Sequence, residues 1–208
     1  MKPVSLITGP TAPLMLADID TETIVRVERL MEFQRGELGP FLFESLRFFA
    51  TGDENPAFIL NRHGFRHSTI LIAGENFGCG SSREAAVWAL QDFGIQCVIA
   101  PSFGDIFAGN CVQNGLLPIT LDIRQLTAIV DEIDDDRHEV TVDLDKEQVM
   151  LPSGRTIGFS LFADQRQRLL KGEDEISQTL QWDDAIACYQ AAARVATPWL
   201  FVDHHRAL

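Results

Sequence analysis

The chain of 208 residues is poor in cationic side chains: 17 Lys and Arg stand against 30 Asp and Glu, a formal net charge of −13. Nucleic-acid binding draws on clustered Lys and Arg, so this balance argues against a broad phosphate-binding surface. The same field disfavours small anions, and an anionic substrate therefore needs a local basic feature. Cysteine is also scarce. Cys79, Cys97, Cys111 and Cys188 are widely spaced and form no CxxC pair, which argues against a disulfide framework and against a zinc or iron–sulfur site complete within the chain. No stretch approaches the roughly 18–20 uninterrupted apolar residues that cross a bilayer, and the N-terminus lacks a charged region followed by an apolar core and cleavage site. A cytoplasmic location is the expectation.

What is present is an ordinary globular composition, 46% hydrophobic and 23% charged, with length enough for one large core. Neither an internal repeat nor a long linker divides the chain, so a single domain over 1–195 with a tail over 196–208 is expected. Val4 to Ile7 and Pro13 to Leu16 read as two strands about the Gly9-Pro10-Thr11 turn. Pro40 to Phe49 has helical spacing with Pro40 in the first turn. From Ser68 the pattern alternates: a β-branched run to Ala73, a glycine-rich turn, a helix from Arg83 to Phe93 closed by Gly94, a strand from Cys97 to Ala100, a helix from Phe103 to Asn110, and a strand from Leu116 to Leu121. Such alternation predicts an α/β fold with a largely parallel central sheet flanked by helices. Beyond it a helix from Ile123 to Asp134, a strand from Glu139 to Leu144, a hairpin turning on Pro152-Ser153-Gly154, and helices over Leu161 to Leu170 and Trp182 to Val195 are expected.

The chemistry concentrates in Glu75-Asn76-Phe77-Gly78-Cys79-Gly80-Ser81-Ser82-Arg83-Glu84. It lies between a buried strand and a helix, where strand ends and helix N-termini of α/β folds meet in one crevice. Gly78 and Gly80 allow positive φ or a close backbone approach, and Ser81 and Ser82 precede amides that lack intrahelical partners. Arg83 is the local basic feature, since its planar fork matches a carboxylate through two parallel bonds. A plainer reading stays open: a serine caps the helix and Arg83 pairs with Glu84 or Glu75. Cys79, alone between two glycines, reads as a small packing residue.

This run resembles the signature of the aconitase superfamily's mobile domain, in the branch of the 3-isopropylmalate dehydratase small subunits. The resemblance extends to Asp18-Ile19-Asp20-Thr21 with Ile24, Leu42-Phe43 with Arg47-Phe48, Val98 to Phe103, Asp105-Ile106-Phe107, Gly109-Asn110, Gly115 to Pro118, Thr179-Leu180 and Asp183 to Ile186. It implies an aconitase-type swivelling β/β/α domain that works with a large iron–sulfur partner holding a 4Fe–4S cluster, this chain itself having no cofactor or metal. It further implies hydro-lyase chemistry on a hydroxy-dicarboxylate, the interconversion of 2- and 3-isopropylmalate in leucine biosynthesis. Residue by residue, Ser81 corresponds to the catalytic base, Ser82 to a group orienting it and Arg83 to a carboxylate holder, while Gly80, Asp20 and Thr21 fall in the substrate cleft. A capping role for Asp20 is the competing expectation.

The chain departs from that signature. The usual Arg-Glu-His-Ala-Pro-Trp is here Arg83-Glu84-Ala85-Ala86-Val87-Trp88. Ala85 is either a tolerated helix former or the mark of a paralogue acting on another substituted malate, a citraconate-like acid or homoaconitate. A non-catalytic binding module is the remaining alternative. His63, His67, His204 and His205 lack partners at ligand spacing and read as solvated, as does the run Asp131 to Asp136.

Overall fold

The computed structural model describes residues 1–81 and 83–201. It falls into two compact units, Met1–Gly172 and Glu173–Leu208; the boundary expected after residue 195 lies at the end of the last long helix.

The first unit is built on a seven-stranded sheet in the order β4-β3-β2-β1-β5-β6-β7. The strands are β1 (Leu6–Leu14), β2 (Ile70–Ala73), β3 (Cys97–Ala100), β4 (Leu117–Thr120), β5 (Glu139–Asp143), β6 (Gln148–Met150) and β7 (Thr156–Gly158). From β4 to β1 neighbouring strands are parallel, and from β1 to β7 they are antiparallel. The hairpin of β6 and β7 turns where Pro152-Ser153-Gly154 predicts.

The two strands expected around Gly9 and Pro10 are one strand, β1. Its first half, Leu6 to Pro10, pairs with β5, and its second half, Thr11 to Leu14, pairs with β2 on the other side. Pro10, which has no N–H, falls at this handover, where its carbonyl accepts from Thr69 N–H at 2.8 Å. A Cβ at Gly9 would lie 2.3 Å from Thr69 Oγ1, so the glycine permits the close approach. The punctuation that marks a turn in the sequence marks a change of partner in the fold.

Helices α1 (Thr21–Ile24), α2 (Val27–Glu32) and α3 (Glu44–Arg47) precede the parallel strands' crossovers. The helix expected over Pro40 to Phe49 is broken: a 3-10 turn at Gly39–Phe41 and α3 are separated by Phe43, whose φ is +51°. Phe43 is fully buried and its N–H donates to Ile24 O at 2.9 Å, so tertiary packing overrides local helical spacing.

The crossovers are α4 (Glu84–Phe93), α5 (Asp105–Asn114) and α6 (Ile123–Val130), followed after the hairpin by α7 (Ala163–Lys171). Gly94, Gly115 and Gly172 close α4, α5 and α7 in the left-handed conformation, while Asp122 and Gln125 start α6 with a capping box. Period-two alternation on buried strands explains the layers: Leu71 and Ala73 pack with α4 and α5 on one face, and Ile70 and Ile72 with α6 and α7 on the other.

The second unit holds α8 (Glu175–Leu180), α9 (Asp183–Ala196) and a 3-10 turn at Pro198–Phe201. Asp174 caps α8 by accepting from Ser177 N–H at 2.7 Å. No described helix of either unit is long and apolar enough to cross a membrane.

Candidate active site

Past Leu14 the chain leaves β1 but continues beside the loop that follows β2. Gly74 N–H donates to Leu16 O (3.1 Å), Asp18 N–H to Glu75 O (2.9 Å), Gly78 N–H to Ile19 O (2.7 Å) and Thr21 N–H to Cys79 O (3.2 Å). On the far side Phe77 N–H donates to Ser102 O (3.1 Å) and Gly104 N–H to Phe77 O (2.9 Å). The glycine loop is thus pinned between the segments leaving β1 and β3, at the C-terminal edge of the parallel strands. Asn76, at φ +58°, tightens both seams: its backbone N–H donates to Ser102 Oγ at 2.8 Å and its Nδ2 to Asp18 Oδ1 at 2.7 Å.

Gly78 is required twice over. Its φ is +73°, and a Cβ there would stand 2.2 Å from Cγ of Phe107, which is itself fully buried. Gly80, at φ +82°, turns the chain back over Asp20, whose Cβ is 3.6 Å from where a side chain at Gly80 would begin.

The loop delivers Ser81 to the surface, and Thr21, only 2% exposed, fixes it there by donating from Oγ1 to Ser81 O at 2.9 Å. Asp20 is the N-cap of α1 and accepts from Thr23 N–H at 2.7 Å. The bonds from Thr23, with Arg83 nearby, hold the Asp20 carboxyl below its ordinary range. Ser82 lies outside the described residues. Arg83 is the N-cap of α4 without a side-chain capping bond, and Ser81 stands two positions earlier.

Arg83 takes neither partner that sequence proximity suggests. Its Nη1 donates to Glu22 Oε2, while Glu84 accepts from Asn114 Nδ2 at 2.9 Å. The other oxygen of Glu22 accepts from Val27 N–H at 3.2 Å, so one carboxylate joins Arg83 to the start of α2. Glu22 is the residue that sequence reasoning missed. It sits beside the matched Asp18 to Thr21 run, but its link to Arg83 spans 61 positions and exists only once the fold is formed. With one N–H engaged, the guanidinium keeps further donors for a ligand carboxylate. Cys79 is half-buried, and burial, then Asp20 and Asp18, push its thiol up, away from a nucleophilic thiolate. A groove of about 640 Å³ runs between Arg26, Phe41, Glu44 and Phe48, and none of the candidate site residues lines it.

Elsewhere His63 and His67 are exposed, and His204 and His205 lie outside the described residues. Asp134 stabilises the turn after α6, accepting from Asp136 and Arg137 N–H at 3.0 and 2.7 Å. Among the described residues no group of three His, Cys, Asp or Glu side chains could hold a metal ion.

Known proteins place these features in a family. The model of the aconitase C-terminal domain matches residues 1–124, and that of the C-terminal domain of 3-isopropylmalate dehydratase small subunits matches residues 175–203. The chain is 45% identical over 200 residues to the 3-isopropylmalate dehydratase small subunit of Rhodospirillum centenum, covering 96% of this chain and 98% of that one. It is 44% identical to the small subunit from Caulobacter vibrioides over 96% and 99% of the two chains. The crystal structure of 3-isopropylmalate dehydratase from Methanocaldococcus jannaschii superposes with a TM-score of 0.64 at 29% identity, covering 89% of this chain and 99% of that one. An aconitase-type α/β domain matched over this length shows that the chain belongs to the family of 3-isopropylmalate dehydratase small subunits, the smaller components of aconitase-class hydro-lyases.

Proposed function

We propose that this chain, docked on a large subunit, isomerises 2- and 3-isopropylmalate by dehydration and rehydration, and that Ser81 is its base. The observation carrying the reading is the placement of Ser81 and Arg83 on one strand-end loop, with Thr21 holding the first and Glu22 the second. In this reading Ser81 Oγ takes the proton from the carbon next to a substrate carboxylate and returns it on rehydration. Arg83 receives that carboxylate with the N–H groups Glu22 leaves free, and its positive charge favours the Ser81 oxyanion. Ser82 orients the base. Gly80 and Asp20 shape the cradle, and Thr21 acts through the Ser81 backbone it holds.

In this reading the 4Fe–4S group belongs to the large subunit, where it would supply Lewis acidity toward the substrate hydroxyl. The pair works in the cytoplasm, in leucine biosynthesis.

Kinetics of the assembled enzyme test the roles separately. Ser81→Ala is expected to lower kcat severely with KM nearly unchanged, because the lost interaction matters mainly in the transition state. Arg83→Lys keeps the charge but loses the fork, raising KM as well as lowering kcat, with a loss of about 2–4 kcal/mol in kcat/KM. Wild-type turnover by Ser81→Ala would remove the base from this chain. A panel of hydroxy-diacids tests the substrate: kcat/KM is expected to be highest for isopropylmalate, and a higher value for another acid would make the chain a paralogue's subunit.

A further inference from the structure

Two consecutive side chains at the start of α4 are held by two different segments. Arg83 bonds to Glu22 of α1, and Glu84 bonds to Asn114, the last residue of α5. Asn114 is only 8% exposed, and its amide is fully engaged. Oδ1 accepts from Trp88 Nε1 at 3.1 Å, while Nδ2 donates to Glu84 Oε1 and to Asn110 O, both at 2.9 Å. Its backbone carbonyl also accepts from Gln91 Nε2, at 2.8 Å. An indole N–H only donates, so the amide oxygen must face Trp88, and that orientation turns the NH2 group toward Glu84. Residues 84, 88 and 91 follow one another at helical spacing, so a single stripe of α4 converges on this one buried residue.

Trp88 and Asn110 satisfy the oxygen and one N–H of that amide; the second N–H is spent on Glu84, an exposed residue that water would otherwise solvate. The effect of that bond falls on Arg83. Glu22 takes one N–H of the guanidinium, and its other oxygen is occupied by Val27 N–H. A second carboxylate, one residue away along the chain, would compete with a substrate carboxylate for the N–H groups that remain. We infer that Asn114 is a positioning residue for the reaction: by holding Glu84 against α5 it keeps the rest of the Arg83 fork open to the substrate. The inference rests on the functional reading above, which gives Arg83 the substrate carboxylate.

The test is steady-state kinetics of the full-length chain assembled with its large subunit, on isopropylmalate. Asn114→Ala releases Glu84 and should raise KM about 2- to 5-fold, the worth of one exposed ion pair. The ratio to wild type should shrink as salt screens the released charge. Adding Glu84→Gln removes the competing charge and should return KM to within about twofold of wild type. The melting temperature of the double variant should stay as low as that of Asn114→Ala, because the bonds to Trp88 and Asn110 remain lost. Asn114→Asp keeps the side chain's size and its acceptor for Trp88, loses the donor to Glu84 and repels it; it should raise KM at least as far, and it serves if the alanine variant does not fold. Gln91→Ala cuts the same contact between α4 and α5 at the Asn114 carbonyl without touching Glu84, and should leave KM unchanged.

A wild-type KM in the Asn114 variants overturns the inference. So does a raised KM that Glu84→Gln fails to restore, or an equal rise in Gln91→Ala, since either outcome reduces Asn114 to a packing residue between two helices. Arg83→Lys separates this failure from that of the functional reading. If it raises KM while the Asn114 variants do not, only the inference falls; if it too leaves KM at the wild-type value, Arg83 does not hold the substrate and both fall together.

Discussion

Gly78→Ala and Gly80→Ala, compared in one experiment, measure how far the site's geometry is bound to the core. Both glycines have positive φ, +73° and +82°. For an L-residue that conformation costs roughly 1–2 kcal/mol, outweighing the small gain from a stiffer unfolded chain. Here the two positions part. A Cβ at Gly80 meets only Asp20 Cβ at 3.6 Å, an ordinary contact, whereas one at Gly78 stands 2.2 Å from Phe107 Cγ and 2.5 and 2.6 Å from its two Cδ atoms. Phe107 cannot retreat freely, because its ring is fully buried against Phe77 at 5.5 Å and Phe103 at 6.4 Å. Overpacking of this kind adds about 1–3 kcal/mol. Gly78→Ala should therefore cost about 2–5 kcal/mol and Gly80→Ala about 1–2 kcal/mol, each kilocalorie lowering the melting temperature by roughly 2–4 °C in a domain of this size. Urea unfolding followed by circular dichroism provides both values. Equal costs, or a Gly78→Ala loss below about 1 kcal/mol, would show that the loop moves independently of α5 and refute the account.

Three further outcomes follow from the same contacts. Thr21→Val removes the bond to Ser81 O inside a buried position and should cost about 1–2 kcal/mol of stability while lowering kcat of the assembled enzyme; unchanged kcat would mean that Thr21 does not position the base. Asp20→Ala should lose about 1 kcal/mol at neutral pH as a lost helix cap. Because the folded state holds the Asp20 carboxyl below its ordinary value of 3.8, its contribution is present above that pH and lost as pH falls through the lower folded value. The gap between Asp20→Ala and wild-type unfolding curves should therefore narrow in acid, and a constant gap would assign the loss to packing. Iodoacetamide with mass mapping should label exposed Cys188 first and buried Cys97 and Cys111 only on unfolding, with Cys79 slowed by its raised thiol; rapid labelling of Cys79 would mark it as reactive.

The parallel half of the fold was legible because each element there is short, buried and closed by its own signal. The strand from Cys97 to Ala100 is β3 residue for residue, and Gly94 ends α4 where a left-handed closure is needed. Legibility failed where the decisive partner is remote. Gly9-Pro10 is a turn signal by local chemistry, yet β2 and β5 flank it on opposite sides and make one strand of it. Phe43 interrupts a helical pattern because the core claims its side chain. The site divides in the same way. Gly78, Gly80, Ser81 and Arg83 lie in one short run readable as a loop entering a helix, while Glu22 reaches Arg83 from another segment, a pairing that only strand-end proximity creates.

The departures at Ala85 and Val87 fall on the buried side of that division. Both lie in the first turn of α4, Ala85 at 7% exposure and Val87 at 0%, in the core cluster that contains Phe77 and Phe107. Side chains so placed act on the site by setting how α4 starts, and hence where Arg83, its N-cap, sits. A small apolar residue at 85 suits a buried helical position, and valine at 87, the first residue of α4 whose amide has an acceptor four residues earlier, the Arg83 carbonyl, supplies a donor that a proline lacks. Ser81 and Arg83 keep the bond from Thr21 and the bond to Glu22 with Ala85 and Val87 in place. With Ala85 and Val87 packed into the core, α4 begins at Glu84 and the Arg83–Glu22 pair is formed.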